Sequence, residues 1–545
     1  MAAQAWRKAP WEWLLAVSAM AMTLLVSWRG GLPLILAGAA GSFGIALLFF
    51  PKLEIAKRFA AMPVGWKIAA FCFAIVCDIS LVRILQSEYI PILANIKRFA
   101  VAREQQTLVI FFATWGLGLA AYPMIASLFL WFVSCAVPVV LNFWKGMDRQ
   151  ERLFLLVFWL VGSLVLTVVY GQTNGFYLPQ REGRAFFYDV VFTSDTGILV
   201  SNHVFLNVGA IQNDINQMLF GVAAMPLGVL ATAISRLLFF LPNAFPCLLG
   251  SLHLGVLGVT LLLLTRLMNG QGLGKILLLL LLCAAYPTVL FGLNLEQYVI
   301  SVFCLIAFIY GALKQKKETG LLFLCATGTL MTSGVLFPLT VLGMPWKKAI
   351  RRLFLLAFSF TALVVVFGKL PYLLTILARQ GELLEWYGGK SLTLLEKWRQ
   401  YTHFIASCVT APATEVVLQE NGLARFVMAE VTGVNALGVL LLGLSAIGFA
   451  FSWRDAFTRV CGFWLLFSAF VLVAMGWGTV ENGVVLYSLY FGWAVVALCY
   501  RAVCAIPNRK MRNGVLALSL TALLAVNLPA LLALYRFGLA YYPIG

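Results

Sequence analysis

The sequence predicts an all-α fold, a polytopic transmembrane helical bundle of about 13 spans plus a re-entrant hairpin, with exterior juxtamembrane helices. Three observations predict it. The 545 residues are 62% hydrophobic and 11% charged, with mean hydropathy +0.94, more apolar surface than a soluble domain can hide. The apolar residues fall in continuous runs near the roughly 20 that cross a bilayer as a helix. In hydrocarbon every backbone N–H and C=O must be paired within its segment, and barrel strands would alternate instead. Finally, the 39 Lys and Arg against 21 Asp and Glu sit in short clusters between the runs. A nucleic-acid surface would gather them on one face among aromatics, so nucleic acid is excluded as a partner.

The expected spans, in order, are 12–28, 31–50, 66–86, 107–143, 153–171, 243–267, 275–293, 295–313, 350–368, 431–453, 459–477, 484–506 and 513–536. Arg7 and Lys8 before Trp11 read as the flank of an uncleaved signal anchor. The run 107–143 carries Pro123 and Pro138 and either crosses once or breaks. The run 319–343 has Lys314, Lys316 and Lys317 before it and Lys347, Lys348, Arg351 and Arg352 after it. One crossing would put a cluster on the wrong face, so a re-entrant hairpin turning near Thr332-Ser333-Gly334 is expected.

The Lys/Arg bias orients the chain. With the N-terminus cytoplasmic, the inner loops hold Lys52, Lys57 and Arg58, then Lys145, Arg149 and Arg152, the two clusters above, and Arg509, Lys510 and Arg512. The outer face receives 173–240, 369–430, 478–483 and the C-terminus, with 217–240 lying along the surface. Segment 87–106 resists the rule, being exterior yet carrying Lys97, Arg98 and Arg103; an interfacial helix accounts for it. In 369–430, Leu394, Leu395, Trp398, Tyr401 and Ile405 recur at helical spacing, as in a helix lying on the membrane. Two regions follow: 1–150, N-terminal helices of unknown role, and 151–545, which carries both long exterior loops.

All of the 11 cysteines but Cys408 fall in or at the ends of apolar runs, and none forms Cys-x-x-Cys. The three histidines show no ligand spacing, so packing is the reading and no metal site is assigned. No phosphate loop, dinucleotide fingerprint, nucleophile elbow or zinc-protease motif occurs.

Chemistry is expected in the first exterior loop. Asp195 lies in Ser194-Asp195-Thr196-Gly197 after an aromatic run. A carboxylate beside low-dielectric lipid has its charged form disfavoured, which suits a base taking a proton from a hydroxyl. Asp214 is the second candidate acid, equally placed to cap the helix that follows. His203 lies between them, and Asn216 and Gln217 can bond sugar hydroxyls. Glu296 occupies a tight exterior turn, a functional position by default for an ionisable group at a helix end; Glu481 occupies a similar turn. Lys390, Lys397, Arg399 and His403 break the inside bias and can meet a lipid phosphate. Asp78, with Arg83, is the residue a transporter would use.

From about residue 150 onward the chain resembles the GT-C superfamily of polytopic membrane glycosyltransferases, on the helix 153–171, the Ser194-Asp195-Thr196-Gly197 loop, and Asp214-Ile-Asn-Gln-Met-Leu-Phe-Gly with Pro226. That last segment is similar to an acid-x-Arg-His-Pro-Leu-Phe-like pattern, with Asn216, Gln217 and Met218 replacing the Arg, His and Pro. The resemblance implies a polyprenyl-phosphate-linked sugar donor; a glycan, lipid or protein acceptor; Asp195 as general base; and inversion at the anomeric carbon. It implies no organic cofactor and leaves a divalent metal open. The setting it implies is a bacterial cytoplasmic (inner) membrane, crossed many times. A transporter or lipid-linked glycan flippase, or a polysaccharide polymerase or ligase, are the competing readings.

Overall fold

The computed structural model describes residues 10–26, 32–49, 60–61, 63–69, 71–72, 74–75, 79, 103–176, 190–192, 194, 196–201, 204–205, 217–238, 240–366, 369, 373–375, 378–379, 381–382, 388, 392–419, 422–478 and 480–544. Asp78, Asp195, His203, Asp214, Asn216 and Lys390, and segment 87–102, lie outside the described residues.

The helices run α1 (Pro10–Val26), α2 (Leu32–Phe49), α3 (Arg103–Lys145), α4 (Arg149–Gln172), α5 (Thr196–Ser201), α6 (Phe220–Ser235) and α7 (Ala244–Leu267). There follow α8 (Gly272–Ala284), α9 (Tyr286–Leu293), α10 (Tyr298–Leu313), α11 (Thr319–Thr329), a 3-10 segment Met331–Val341, α12 (Trp346–Val366) and α13 (Leu394–Ser407). Strands β1 (Thr414–Leu418) and β2 (Ala424–Met428) precede α14 (Ala436–Ser452), α15 (Ala456–Ala469), a 3-10 segment Val480–Tyr487, α16 (Ser488–Cys504) and α17 (Arg509–Tyr541). The chain sorts into two compact units. The first is Met1–Arg149 with His203–Ala233 and Leu353–Thr375; the second is Gln150–Asn202 with Ile234–Arg352 and Ile376–Gly545.

In the first unit α1 packs on α2 through small residues, Ala16 and Ala19 against Ala46, with Leu15 beside them. Small side chains let helix backbones approach closely where lipid supplies no hydrophobic drive. Ser42 Oγ donates to Ala39 O at 2.9 Å, and Met124 N donates to Ser18 Oγ at 2.9 Å. The run expected at 107–143 is one continuous helix, α3, of 43 residues containing both prolines. At 1.5 Å per residue it is about 65 Å long, more than a bilayer core requires.

The second unit holds the helices that are long and apolar enough to cross a membrane. There are five among the described residues: α4, α7, α15 with its π-helical continuation to Ala474, Val484–Cys504, and α17. α8 and α9 make a sixth if a pair bent by 55° is one span. The expected continuous span 275–293 is therefore broken at Ala285. Pro287 lacks an N–H and clashes with the preceding turn. The freed groups find partners elsewhere: Thr288 Oγ1 donates to Leu282 O at 2.7 Å, Tyr286 N to Val409 O at 3.1 Å, and Asn527 Nδ2 to Ala284 O at 2.6 Å.

The chain reverses at Leu330, near the expected turn. Phe323 and Phe337 touch with ring centroids 6.0 Å apart; in one continuous helix that separation would be roughly 20 Å. The chain is mostly helical, as expected, with one antiparallel hairpin among the described residues, in which β1 and β2 pair Thr414 with Met428 and Leu418 with Ala424. One expectation is corrected: α13 does not lay its whole apolar stripe on lipid. Tyr401, Phe404 and Ile405 are buried inside the protein, Tyr401 OH lying 3.0 Å from Ser468 Oγ and Phe404 against Phe491. Only its first turns, Leu394, Leu395 and Trp398, stay exposed.

Candidate functional site

Helix ends in the second unit gather into two sets. At one end Glu151, buried in the first turn of α4, pairs with Arg266 near the end of α7 at 2.6 Å and with Lys275 in α8 at 2.8 Å. Arg509, opening α17, reaches Gly272, where a Cβ would lie 2.6 Å from its guanidinium. Asp455, capping α15, takes Arg501 from the end of α16 at 3.0 Å. This end is rich in cations.

The opposite ends meet through neutral groups. Tyr170 OH, near the end of α4, donates to Leu293 O at 2.8 Å. Asn243, before α7, donates through Nδ2 to Tyr170 O at 3.1 Å and to Asn174 Oδ1 at 2.8 Å. Thr173 Oγ1 lies 2.7 Å from Gly538 O and 2.8 Å from Tyr542 O, and Tyr542 OH donates to Ala424 O of β2 at 2.6 Å.

Segment 190–201 is tied into the same end. Phe192 N donates to Phe426 O at 2.9 Å and Phe426 N to Val190 O at 2.8 Å, a parallel bridge centred on Val191 and Phe426. Phe192, at φ 49, sets its ring edge-on to Tyr286 and Phe426. A non-glycine residue in that region is uncommon and is held by its surroundings. Ser194 and Thr196, on either side of Asp195 in the chain, are buried.

Thr196 opens α5, and its Oγ1 donates to Glu296 Oε1 at 3.5 Å. Glu296 is 1% exposed, in the four-residue turn Asn294–Gln297 between α9 and α10. A carboxyl withdrawn this far from water costs free energy unless donors surround it. The Tyr490 hydroxyl is within electrostatic reach of it, and the Tyr298 ring packs on Tyr490 at 4.8 Å. The structure thus joins Val190–Phe192 to the second polar loop through β2, and Thr196 to the acidic turn.

The other expected site residues are placed as follows. Gln217 is buried in the first unit. His403 Nε2 lies 3.1 Å from Gly433 O. Lys397 extends its amine beside Gly476, where a Cβ would lie 2.7 Å from Nζ and overlap Gly388 O; Gly476 has φ +74, which favours glycine. Arg399 is half-buried one turn on from Glu396, whose carboxyl it helps keep ionised. Glu481 lies in the 3-10 segment Val480–Tyr487, which packs against α13 and β2.

Sequence reasoning missed Thr196, Asn294, Tyr490 and Asn527. Asn527 had a signal, a lone amide inside an apolar run. Among the described residues no group of three His, Cys, Asp or Glu side chains is placed to hold a metal. A cavity of about 30 Å³, lined by Thr288, Cys408, Ser488 and Trp493 among others, has room for about two waters, not a sugar. Compared with protein families, curated proteins and solved structures, the chain matches none.

Proposed function

We propose that this chain is an integral membrane glycosyltransferase that moves a sugar from a polyprenyl-phosphate carrier to an acceptor on the exterior face. The observation that carries the reading is the convergence just described: the segment flanking Asp195 is bonded to both Glu296 and β2, at the end of the unit opposite the Glu151–Arg266–Lys275 cluster. Positive residues favour the cytoplasmic side, so that end is taken as exterior.

In this reading Asp195 removes the proton of an acceptor hydroxyl as the oxygen attacks the anomeric carbon. The carbon–oxygen bond to the carrier breaks with inversion, and polyprenyl phosphate leaves. Lys390, Lys397, Arg399 and His403 are the groups assigned to the phosphate charge. Glu481, in the same unit, is assigned to the same reaction as an acid or hydroxyl-binding group. Holding both substrates in one place contributes up to roughly 7–11 kcal/mol in ideal cases. The multi-pass setting, the bacterial inner membrane and the cytoplasmic N-terminus belong to this proposal too.

The test is sugar transfer by the purified, reconstituted protein from labelled polyprenyl-phosphate sugars. Asp195→Asn is expected to abolish transfer while leaving insertion and abundance unchanged. Full transfer by that variant would remove the base; solute uptake without glycosylated product would favour a transporter.

A further inference from the structure

Two basic clusters flank the segment that doubles back, Lys314, Lys316 and Lys317 before it and Lys347, Lys348, Arg351 and Arg352 after it. The fold brings them to one end of the second unit. α11 has 11 residues before the chain reverses at Leu330. That is about 16 Å of helix, half of the roughly 30 Å of a bilayer core. Phe323, one turn into α11, meets both Phe337, one turn before Val341, and Phe308 of α10. The segment therefore leaves by the end at which it enters. The Tyr310 hydroxyl, in the last turn of α10, reaches Arg266, so this is also the end of the Glu151 cluster.

Pairing sets the hairpin's cations apart from that cluster. Arg266 and Lys275 are matched by Glu151. Lys314, Lys316, Lys317, Lys347, Lys348 and Arg351 are exposed, and among the described residues none of them forms an ion pair. Glu318 is the one acid in the sequence between Lys314 and Arg352. The first loop is fixed rather than free to spread its charges. Gln315 has φ 50, Lys316 N donates to Gly311 O at 2.8 Å, and Thr319 Oγ1 donates to Lys316 O at 2.6 Å. Like charges held at one end repel, and anions brought from outside relieve that repulsion.

The apolar side chains among the cations decide which anion. Leu342, Met344, Trp346 and Ile350 are exposed, Trp346 by 69%, and the Lys347 amine lies over the Trp346 ring at 5.9 Å. A free phosphate matches the charges and leaves these side chains in water. A bilayer surface matches both. Trp rings settle at head-group level, and Lys and Arg lay their stems on apolar surface while their charged ends reach the phosphates. Basic residues favour the cytoplasmic side, whose leaflet carries anionic lipid.

We propose that the two ends of the hairpin form one site for the head groups of anionic phospholipids. The site involves no sugar chemistry and stands apart from the transferase reading.

The experiment counts lipids retained by the purified full chain, by native mass spectrometry, during titration with phosphatidylglycerol or with phosphatidylcholine of the same acyl chains. Wild type is expected to prefer phosphatidylglycerol by about tenfold or more, since each basic residue at a membrane surface contributes about fivefold. Lys316→Gln/Lys317→Gln and Lys347→Gln/Lys348→Gln are each expected to lower that preference by about fivefold or more. Arg459→Gln/Lys510→Gln removes the same charge from exposed positions on α15 and α17, and is expected to change it by less than about twofold. No wild-type preference overturns the proposal. So does an equal loss in the α15/α17 variant, which would make net charge the cause, or a loss from only one of the two hairpin variants, which would deny a shared site.

Two further readouts separate lipid binding from other roles. The replaced lysines hold no partner in the protein, so both hairpin variants are expected to melt at the wild-type temperature in detergent. Weaker lipid binding accompanied by lower melting overturns the proposal. In nanodiscs of brominated phosphatidylglycerol, part of the tryptophan quenching is expected to disappear in Trp346→Phe. Quenching unchanged by that substitution rules out the bilayer as occupant and leaves a soluble acidic partner.

Discussion

Several positions in the second unit accept no side chain beyond a hydrogen. A Cβ on Gly448 in α14 would overlap Leu498 O of α16, and one on Gly438 would overlap Thr402 O of α13. These contacts involve backbone, which cannot swing aside as a side chain does. Gly448→Ala is therefore expected to cost about 1–3 kcal/mol by overpacking, read as a lower melting temperature in detergent. Gly443, on the same helix with nothing within 4 Å, serves as the control and is expected to tolerate alanine. The sequence showed the glycines but not which of them face a neighbouring backbone. The same limit applied at the site. Glu296 was readable as an ionisable group at a turn, whereas its partner Thr196 lies 100 positions earlier in the chain and no local pattern links the two.

At the scale of elements, α13 starts with a reciprocal cap. Glu396 N donates to Thr393 Oγ1 at 3.3 Å, and Thr393 N donates to Glu396 Oε2 at 2.6 Å. The Thr-x-x-Glu spacing announces this in sequence. Thr393→Ala is expected to cost about 0.5–2 kcal/mol, seen as faster amide exchange in the first turn of α13. The Thr393 backbone N–H, then its hydroxyl and the nearby Arg399, hold the Glu396 carboxyl below the usual carboxylate range. A depressed acid contributes stability that is fully present above its unfolded pKa and lost as pH falls through the folded one. The first turn of α13 is thus expected to fray between mildly and strongly acidic pH, and in Glu396→Gln to lose that dependence. The β hairpin was also legible, in β-branched Val416 and Val417 and in Asn421-Gly422, yet went unread beside long apolar runs.

The break between α8 and α9 was only half legible. Pro287 marks where a helix weakens, but the bend persists because Asn527, in α17, donates to both Ala284 O and Val409 O and accepts from Ala411 N at 2.8 Å. No local reading finds a stitch spanning 243 positions. Asn527→Leu is expected to leave Ala284 O and Ala411 N unpaired at about 1–3 kcal/mol each, while Val409 O keeps Tyr286 N, with less folded protein recovered from membranes. Wild-type yield in that variant would show that the break holds without the amide.

For the molecule as a whole, hydropathy and charge announced a membrane protein, and the described helices include five of spanning length. The larger number of crossings expected from hydropathy was not legible at the same level. Apolar stretches such as α10 and α14, at 16 and 17 residues, are shorter than a typical span, and α11 doubles back. Charge placed the cations at one end of the second unit, where Glu151 draws together Arg266 and Lys275. Reporter fusions after residues 200 and 400 are accordingly expected to report the exterior and one after 316 the cytoplasm. A cytoplasmic signal at 200 would put the candidate acids on the side away from the proposed chemistry.

The most direct test is transfer of labelled sugar from polyprenyl phosphate by the reconstituted chain, with Asp195→Asn and Glu296→Gln measured beside wild type. Product is expected from wild type, with a loss of about 10²–10⁴-fold in Asp195→Asn, the usual contribution of a general base. Glu296→Gln is expected to fall as well at unchanged abundance. Undiminished transfer by both variants, or solute uptake with no glycosylated product from any of the three proteins, would contradict the account.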